Sequence, residues 1–274
     1  MNKKLITLAV AGALASPLFA LAADAAPTPE HTFTGNVTLA SEYLYRGIAQ
    51  TRGEPAIQGG FDYAHKSGLY AGLWASNITW INDAVAGASA GIEIDVYGGY
   101  KAAINDDWGY DVGILTYNYP GSGKTPGVLL KQDTTEIYGA VTWKFLTLKY
   151  SHSTTALFGA AEKGSIDDKT TGSGYLELNA AYDLGDGWGI TGHVGHQKVS
   201  GNSWASYTDY KVGVTKDVGF GVIGAAYSVT DANDSCTGNA ATKASDFYCF
   251  VNNNTTDAYE AGKGRLLVTF GKTF

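Results

Sequence analysis

From Phe33 to Phe274, apolar and polar side chains alternate with a period of two, in runs of roughly ten residues separated by polar breaks. In the first run Phe33, Val37, Leu39, Tyr43 and Tyr45 share one face, and Thr34, Asn36, Thr38, Ala40 and Glu42 share the other. The run through residues 92–101 is the clearest: Ile92, Ile94, Val96 and Tyr100 alternate with Glu93, Asp95, Tyr97 and Lys101. In the last run Leu266, Val268, Phe270 and Phe274 lie on one face, broken only by Lys272, with Arg265, Leu267, Thr269 and Thr273 opposite. Such alternation marks strands with an apolar phase on one side and water on the other. About twelve such runs can be traced, each close to the length that crosses a bilayer at a tilt. The expected fold is therefore all-β: a transmembrane antiparallel up-and-down β-barrel of 12 strands.

The connections sharpen this reading. Brief links fall around Ser67, Asn105-Asp106, Lys144, Gly185-Asp186 and Asp217, after every second strand. The intervening links are longer, and the longest are Thr155 to Ser173 and Asp231 to Lys263. Short turns at one end and long loops at the other characterise membrane barrels, and an even strand count puts both chain ends on the short-turn, periplasmic side. Tyr63, Tyr100, Trp108, Trp143, Tyr182, Trp188, Phe220 and Phe274 are predicted to face outward at that end as an aromatic girdle. Tyr43, Tyr45 and Tyr150 are expected in the opposite belt. An open sheet edge in hydrocarbon leaves backbone groups unpaired, so the first and last strands are expected to pair.

Composition and the chain ends place this barrel in a compartment. Met1 to Ala22 has a basic start (Lys3, Lys4), an apolar stretch from Leu5 to Leu14 and a small-residue close at Ala20-Leu21-Ala22, the pattern of a secretory signal peptide. Residues 23–32 read as a flexible lead-in, and residues 33–274 as the barrel. Phe270 and Phe274 in the closing strand are expected to act as an insertion signal read by the barrel-assembly machinery. The expected location is the bacterial outer membrane, with lipid as the partner of the outer face. Removing Lys3 and Lys4 takes the net charge from −7 to −9. An acidic chain argues against nucleic acid, whose phosphates need neutralising. Charged residues are only 16% of the chain, yet no later stretch approaches the ~18 apolar residues of a membrane helix. Cys236 and Cys249 are the two cysteines, and after export a disulfide between them is expected.

The inward face carries the candidate chemistry. Glu42, Asp62, Glu93, Asp95, Asp111, Glu136, Glu177 and Asp209 fall on it, with Lys101, Lys149, Lys211 and Arg265, while Arg46 sits just past the first strand at the outer mouth. A water-filled, net-acidic lumen would favour cations or neutral polar solutes, with Asp95, Asp111 and Glu93 the foremost lining candidates. The alternative is an occluded barrel whose carboxylates pair internally, acting through its long loops as a structural or adhesive protein. A lipid hydrolase is a third possibility, with Ser151-His152-Ser153 as its one local candidate. Neighbours on a strand point to opposite faces, so His152 is poorly placed to serve either serine as a base. His193 and His196 have no nearby nucleophile, and no metal-ligand spacing is present, so neither catalytic residue, metal nor other cofactor is expected. Gly59-Gly60, Gly98-Gly99 and Gly185-x-Gly187-x-Gly189 open no helix and read as bends and turns rather than phosphate loops.

Several stretches carry a family likeness. These are Asn36-Val-Thr-Leu-Ala-Ser-Glu-Tyr-Leu-Tyr-Arg-Gly47, Ile57-Gln-Gly-Gly-Phe-Asp-Tyr63, Gly68-Leu-Tyr-Ala-Gly-Leu-Trp-Ala-Ser-Asn77 and Glu93-Ile-Asp-Val-Tyr-Gly-Gly-Tyr100, with Tyr117-Asn-Tyr-Pro-Gly121 and Glu136-Ile-Tyr138 further on. Through them the chain resembles the TorF family of proteobacterial outer-membrane porins, most densely before about residue 140. The resemblance implies an outer-membrane barrel with pore activity. It implies no catalytic motif and no known ligand.

Overall fold

The computed structural model describes residues 29–84, 89–122, 131–160, 170–236, 246–251 and 257–274. The proposed signal peptide lies outside these residues, as do parts of both longest loops. The wall is a closed antiparallel barrel of 12 strands in sequential order. They are β1 (His31–Ala40), β2 (Ala56–His65), β3 (Leu69–Asn77), β4 (Ile92–Ala103), β5 (Trp108–Asn118) and β6 (Thr134–Trp143). The second half comprises β7 (Leu146–Ser153), β8 (Gly174–Gly185), β9 (Trp188–Lys198), β10 (Tyr207–Asp217), β11 (Val222–Thr230) and β12 (Arg265–Thr273). Long and short connections alternate as the sequence predicts, and both ends of the barrel chain lie on the short-turn side.

Closure runs through β1 and β12, which pair from Asn36 opposite Thr273 to Ala40 opposite Thr269. Phe274 extends the seam by one step, its N–H donating to the Gly35 carbonyl at 2.8 Å and its carbonyl accepting from the Gly35 N–H at 3.2 Å. The wall thus has no free edge, which removes the several-kcal/mol cost of each unpaired backbone group in hydrocarbon.

The outer face is apolar on every strand. Leu39, Ile57, Leu73, Val96, Val112, Ile137, Leu148, Leu178, Ile190, Val212, Ile223 and Val268 are all exposed. A continuous band of this kind has no favourable contact with water and is the surface a lipid bilayer covers. At the short-turn end Tyr100, Trp108, Trp143, Tyr182, Trp188, Phe220 and Phe274 are exposed, and Tyr63 is half-buried against Phe33. Lys144 lies 5.3 Å from the Trp143 ring and Lys216 5.0 Å from the Trp188 ring, so cationic heads cap rings at the level where lipid headgroups would lie.

The loop-side belt differs from expectation. Tyr150 faces outward as predicted. Tyr43 and Tyr45 do not, because β1 ends at Ala40 and the chain then turns into the barrel. Residues 41–55 form an inserted hairpin whose two short strands pair Leu44 with Ala49 and Tyr45 with Ile48. Its tip takes positive φ at Arg46 and Gly47, a conformation that glycine adopts without strain. A Cβ on Gly47 would also meet the Thr230 and Asp209 side chains at 2.5 and 2.8 Å. Periodicity continued past Ala40, so the sequence alone could not mark where the wall stops.

A second regularity shapes the inner wall. Tyr97 pairs across to Gly72, Tyr70 to Gly99 and Tyr138 to Gly113, and atoms of each ring lie 2.5–2.8 Å from where a Cβ on that glycine would stand. The glycines supply room that no side chain would leave, and the rings restore the packing they lack. A Cβ on Gly99 would sit 2.4 Å from the Val112 carbonyl oxygen and 2.6 Å from the Tyr70 hydroxyl. Gly99→Val is therefore expected to destabilise the barrel by about 1–3 kcal/mol through overpacking, read as a lowered midpoint in urea unfolding from lipid vesicles.

Candidate functional site: the tyrosine-lined barrel interior

The interior positions follow from the alternation. Glu93 and Asp95 on β4, Asp111 on β5, Glu136 on β6, Lys149 on β7 and Asp209 on β10 are all buried inside the barrel. Asp62, Glu177, Lys211 and Arg265 are half-buried on the same inner face, and Glu42, which opens the inserted hairpin, is buried with them. Lys101, paired across to Asp111, is half-buried there too, so all twelve residues that the alternation turns inward lie on the inner face.

Tyrosine hydroxyls hold most of the carboxylates. Tyr43 donates to Glu93 at 2.9 Å and Tyr119 donates to its other oxygen at 3.2 Å. Tyr70 donates to Asp111 at 2.6 Å and is also bonded to Tyr138. Tyr97 donates to Asp62, Tyr175 donates to Asp209 at 2.7 Å, and Tyr259 donates to Glu42. The basic groups rest on tyrosine faces. Lys149 Nζ is 4.2 Å from the Tyr138 ring centroid, Lys101 Nζ 5.3 Å from Tyr70, and the Arg265 guanidinium 4.4 Å from Tyr259. In a low-dielectric wall both arrangements gain strength, because charge-assisted hydrogen bonds and cation–π contacts lose little to solvent. Tyr259 lies in the last long loop. Burial, and then its bond to Glu42, raises its hydroxyl above the ordinary phenol range and keeps it a donor.

Arg46 anchors the hairpin. The sequence pattern put it at the outer mouth; the structure carries it into the interior. Its guanidinium makes a bidentate pair with Glu136 at 2.7 and 3.0 Å and donates to Gln197 Oε1 at 2.7 Å. It lies between the rings of Tyr45 and Tyr175, at 4.8 and 4.1 Å. One side chain therefore bridges β6, β8 and β9 across the barrel. Around it Tyr45, Tyr117, Phe158 and Trp80 stack edge-to-face at 5.2–6.3 Å. Tyr43 packs edge-on to Trp74, and Ile78, Ile81 and Leu115 complete this cluster. Leu44, Ile48 and Ala49 on the other side of the hairpin pack with Tyr207, Tyr248 and Phe250. The loop-side half of the interior is filled by this hairpin and its neighbours.

The last long loop contributes to that fill. The predicted Cys236–Cys249 disulfide is present. It precedes a short ladder in which Cys249, Phe250 and Val251 pair with Glu260, Tyr259 and Ala258. The crosslink thus pins the segment that supplies Phe250 and Tyr259 to the interior.

Two further groupings were not anticipated as sites. His193 Nε2 is 2.8 Å from Asp209 and 2.9 Å from the Tyr175 hydroxyl, while Nδ1 is 2.7 Å from Asn179. His193 lies opposite Lys211 in the β9–β10 ladder, and the register that brings Asp209 beside it is not visible in one sequence. A small cavity of about 40 Å³ adjoins Thr191, Lys211, Thr215 and Thr269 on the short-turn side of this network. As for Ser151-His152-Ser153, both serines are buried inside and His152 belongs to the opposite face, beside Tyr150. Asp95 Oδ1 is buried and has no hydrogen-bond partner among the described residues.

A sealed, outwardly apolar barrel of 12 antiparallel strands with a polar interior defines the class: a β-barrel of the membrane-spanning type. Within it, residues 24–256 match the bacterial family Gcw_chp, described as of unknown function, and the chain belongs to that family. No curated protein matches it. Among solved structures, the NanC porin aligns with a TM-score of 0.50 and 10% identity, covering 88% of this chain and 98% of that one. The KdgM porin aligns at 0.49 and 6%, covering 88% and 98%. OprD from Pseudomonas aeruginosa aligns at 0.37 and 12%, covering 87% and 65%. At such identities the NanC likeness is one of fold.

Removing the Arg46 guanidinium leaves Glu136 and Gln197 buried without their partner. Arg46→Ala is expected to cost about 3–5 kcal/mol, the usual penalty for breaking a buried pair. Adding Glu136→Leu in the same chain should recover part of it, as a double-mutant cycle in urea would show.

Proposed function

We propose that the protein is an outer-membrane channel for small polar or cationic solutes, closed on its loop side by its own hairpin. The observation that carries this reading is the interior charge. The lining positions, with Arg46 and Lys101, hold eight carboxylates against five basic side chains, so acids outnumber bases by three. Buried carboxylates in excess of cationic partners need water or ions beside them. Asp95, with an oxygen that no described residue satisfies, is where that need is sharpest.

The placement in the outer membrane is supported by the exposed apolar band, by the aromatic girdle and by the signal-like pattern of Met1 to Ala22. The porin activity implied by the TorF resemblance belongs to the same proposal. So does the assignment of Phe270 and Phe274 as the feature read during barrel assembly. Passage of solutes, rather than catalysis, agrees with a Ser-His-Ser stretch split between opposite faces of the wall.

The packed hairpin favours a second reading. An interior stoppered by Arg46 and the four aromatic side chains around it would suit a barrel that conducts nothing and works through its loops. Planar-bilayer recording separates the two. The wild-type protein is expected to show small, cation-selective steps, and a variant with residues 42–54 replaced by a short Gly-Ser linker should conduct several-fold more. Silence from both would sink the channel reading and leave the structural one.

A further inference from the structure

A cluster on the short-turn rim, outside the barrel interior, has the chemistry of a metal site. His31 opens β1 and His65 closes β2, and the register sets them directly opposite each other. Glu30 immediately precedes His31. One ligand atom from each of Glu30, His31 and His65 lies within 4.8 Å of the other two, the one such grouping of three or more His, Cys, Asp or Glu among the described residues. The two imidazole rings are 5.3 Å apart between centroids.

The geometry points to a binding site for a borderline transition-metal ion, Zn²⁺ or Cu²⁺, held by two imidazoles and one carboxylate. Directly opposed positions of an antiparallel pair place Cβ atoms about 4.5–5.5 Å apart, close enough for two imidazoles to reach one ion. Zn²⁺ takes nitrogen at about 2.0–2.1 Å and carboxylate oxygen at about 2.0–2.2 Å, so the exposed Glu30 and His31 and the half-buried His65 need rotate only modestly to converge. Imidazole with carboxylate suits Zn²⁺ and Cu²⁺, and three protein ligands leave a coordination position for water.

The outer partners are also in place. His31 Nδ1 is 2.9 Å from the Tyr63 hydroxyl, and His65 Nδ1 is 2.7 Å from Ser67 Oγ. If each Nδ1–H donates to that oxygen, each Nε2 is left with its lone pair for an ion, the arrangement that metal-ligating histidines commonly show. His65 Nε2 already lies 3.6 Å from Glu30 Oε1. Two contacts compete. Lys66 Nζ is 3.2 Å from the same Glu30 oxygen, and the Ser67 N–H donates to His65 Nδ1 at 3.2 Å. An ion must displace the second and draw the carboxylate from the first. A bound ion would staple the segment before β1 to the first short turn.

The test uses untagged protein purified in detergent micelles, titrated with Zn²⁺ by calorimetry at about neutral pH. One Zn²⁺ per barrel is expected. His31→Ala and His65→Ala should each weaken binding roughly tenfold or more, and Glu30→Gln by less. His196→Ala, on another part of the wall, should leave the isotherm unchanged. Because lumen carboxylates could also take up the ion, Cu²⁺ electron paramagnetic resonance provides the second readout. Coupling to two imidazole nitrogens is expected in the wild type, falling to one in either histidine variant. No saturable binding by wild-type protein would overturn the proposal, as would an unaltered isotherm or spectrum in the His31→Ala/His65→Ala double variant. Heat-modifiable migration in gels confirms that each variant is a folded barrel.

Discussion

The constraint on which everything else rests is the pairing of backbone groups in a wall whose outside is apolar. Hydrocarbon offers no partner to an N–H or C=O, so a sheet there is stable only as a ring. β1 and β12 complete that ring, and the Phe274 backbone continues it to Gly35. Once the ring is closed, side-chain direction is no longer free. Each strand must send alternate residues outward and inward, and a shift of one residue would exchange the two sets. The apolar outer band and the charged residues of the interior are two consequences of one register.

Inside, tyrosine resolves a conflict that closure creates. Carboxylates driven inward by the alternation lose bulk water and cannot all find cations. Hydroxyls from Tyr43, Tyr70, Tyr97, Tyr119, Tyr175 and Tyr259 each meet one, while the faces of several of these rings accept Lys or Arg. A ring with an edge donor and an attractive face serves both signs of charge. Two of these tyrosines, Tyr97 and Tyr70, also occupy the space beside Gly72 and Gly99 where a side chain would otherwise stand, as Tyr138 does at Gly113.

Much of this was legible from residue order alone. The period of two placed Glu93, Asp95, Asp111, Glu136 and Asp209 on the inner face because a strand leaves a side chain only two directions. Link lengths set the strand order, since antiparallel neighbours need only short turns on one side. Tyr43, Tyr45 and Arg46 lie elsewhere than the alternation predicts, and the reason is physical. A strand that leaves the wall to enter the interior keeps its alternation while its surroundings change, so the pattern carries no mark of the departure. The pairings of Arg46 with Glu136, of His193 with Asp209 and of His31 with His65 join residues far apart in the chain. They depend on register between strands, which one sequence does not display.

The position of the hairpin has a kinetic consequence. It is spliced between β1 and β2, whose ends Ala40 and Ala56 sit opposite each other in the sheet. When Arg46 is drawn away from Glu136, the segment stays tethered at both ends within a few residues of its seat. Its return is a first-order event, independent of how dilute the protein is, and the effective concentration of the stopper at its own socket is set by the tether and not by the cell.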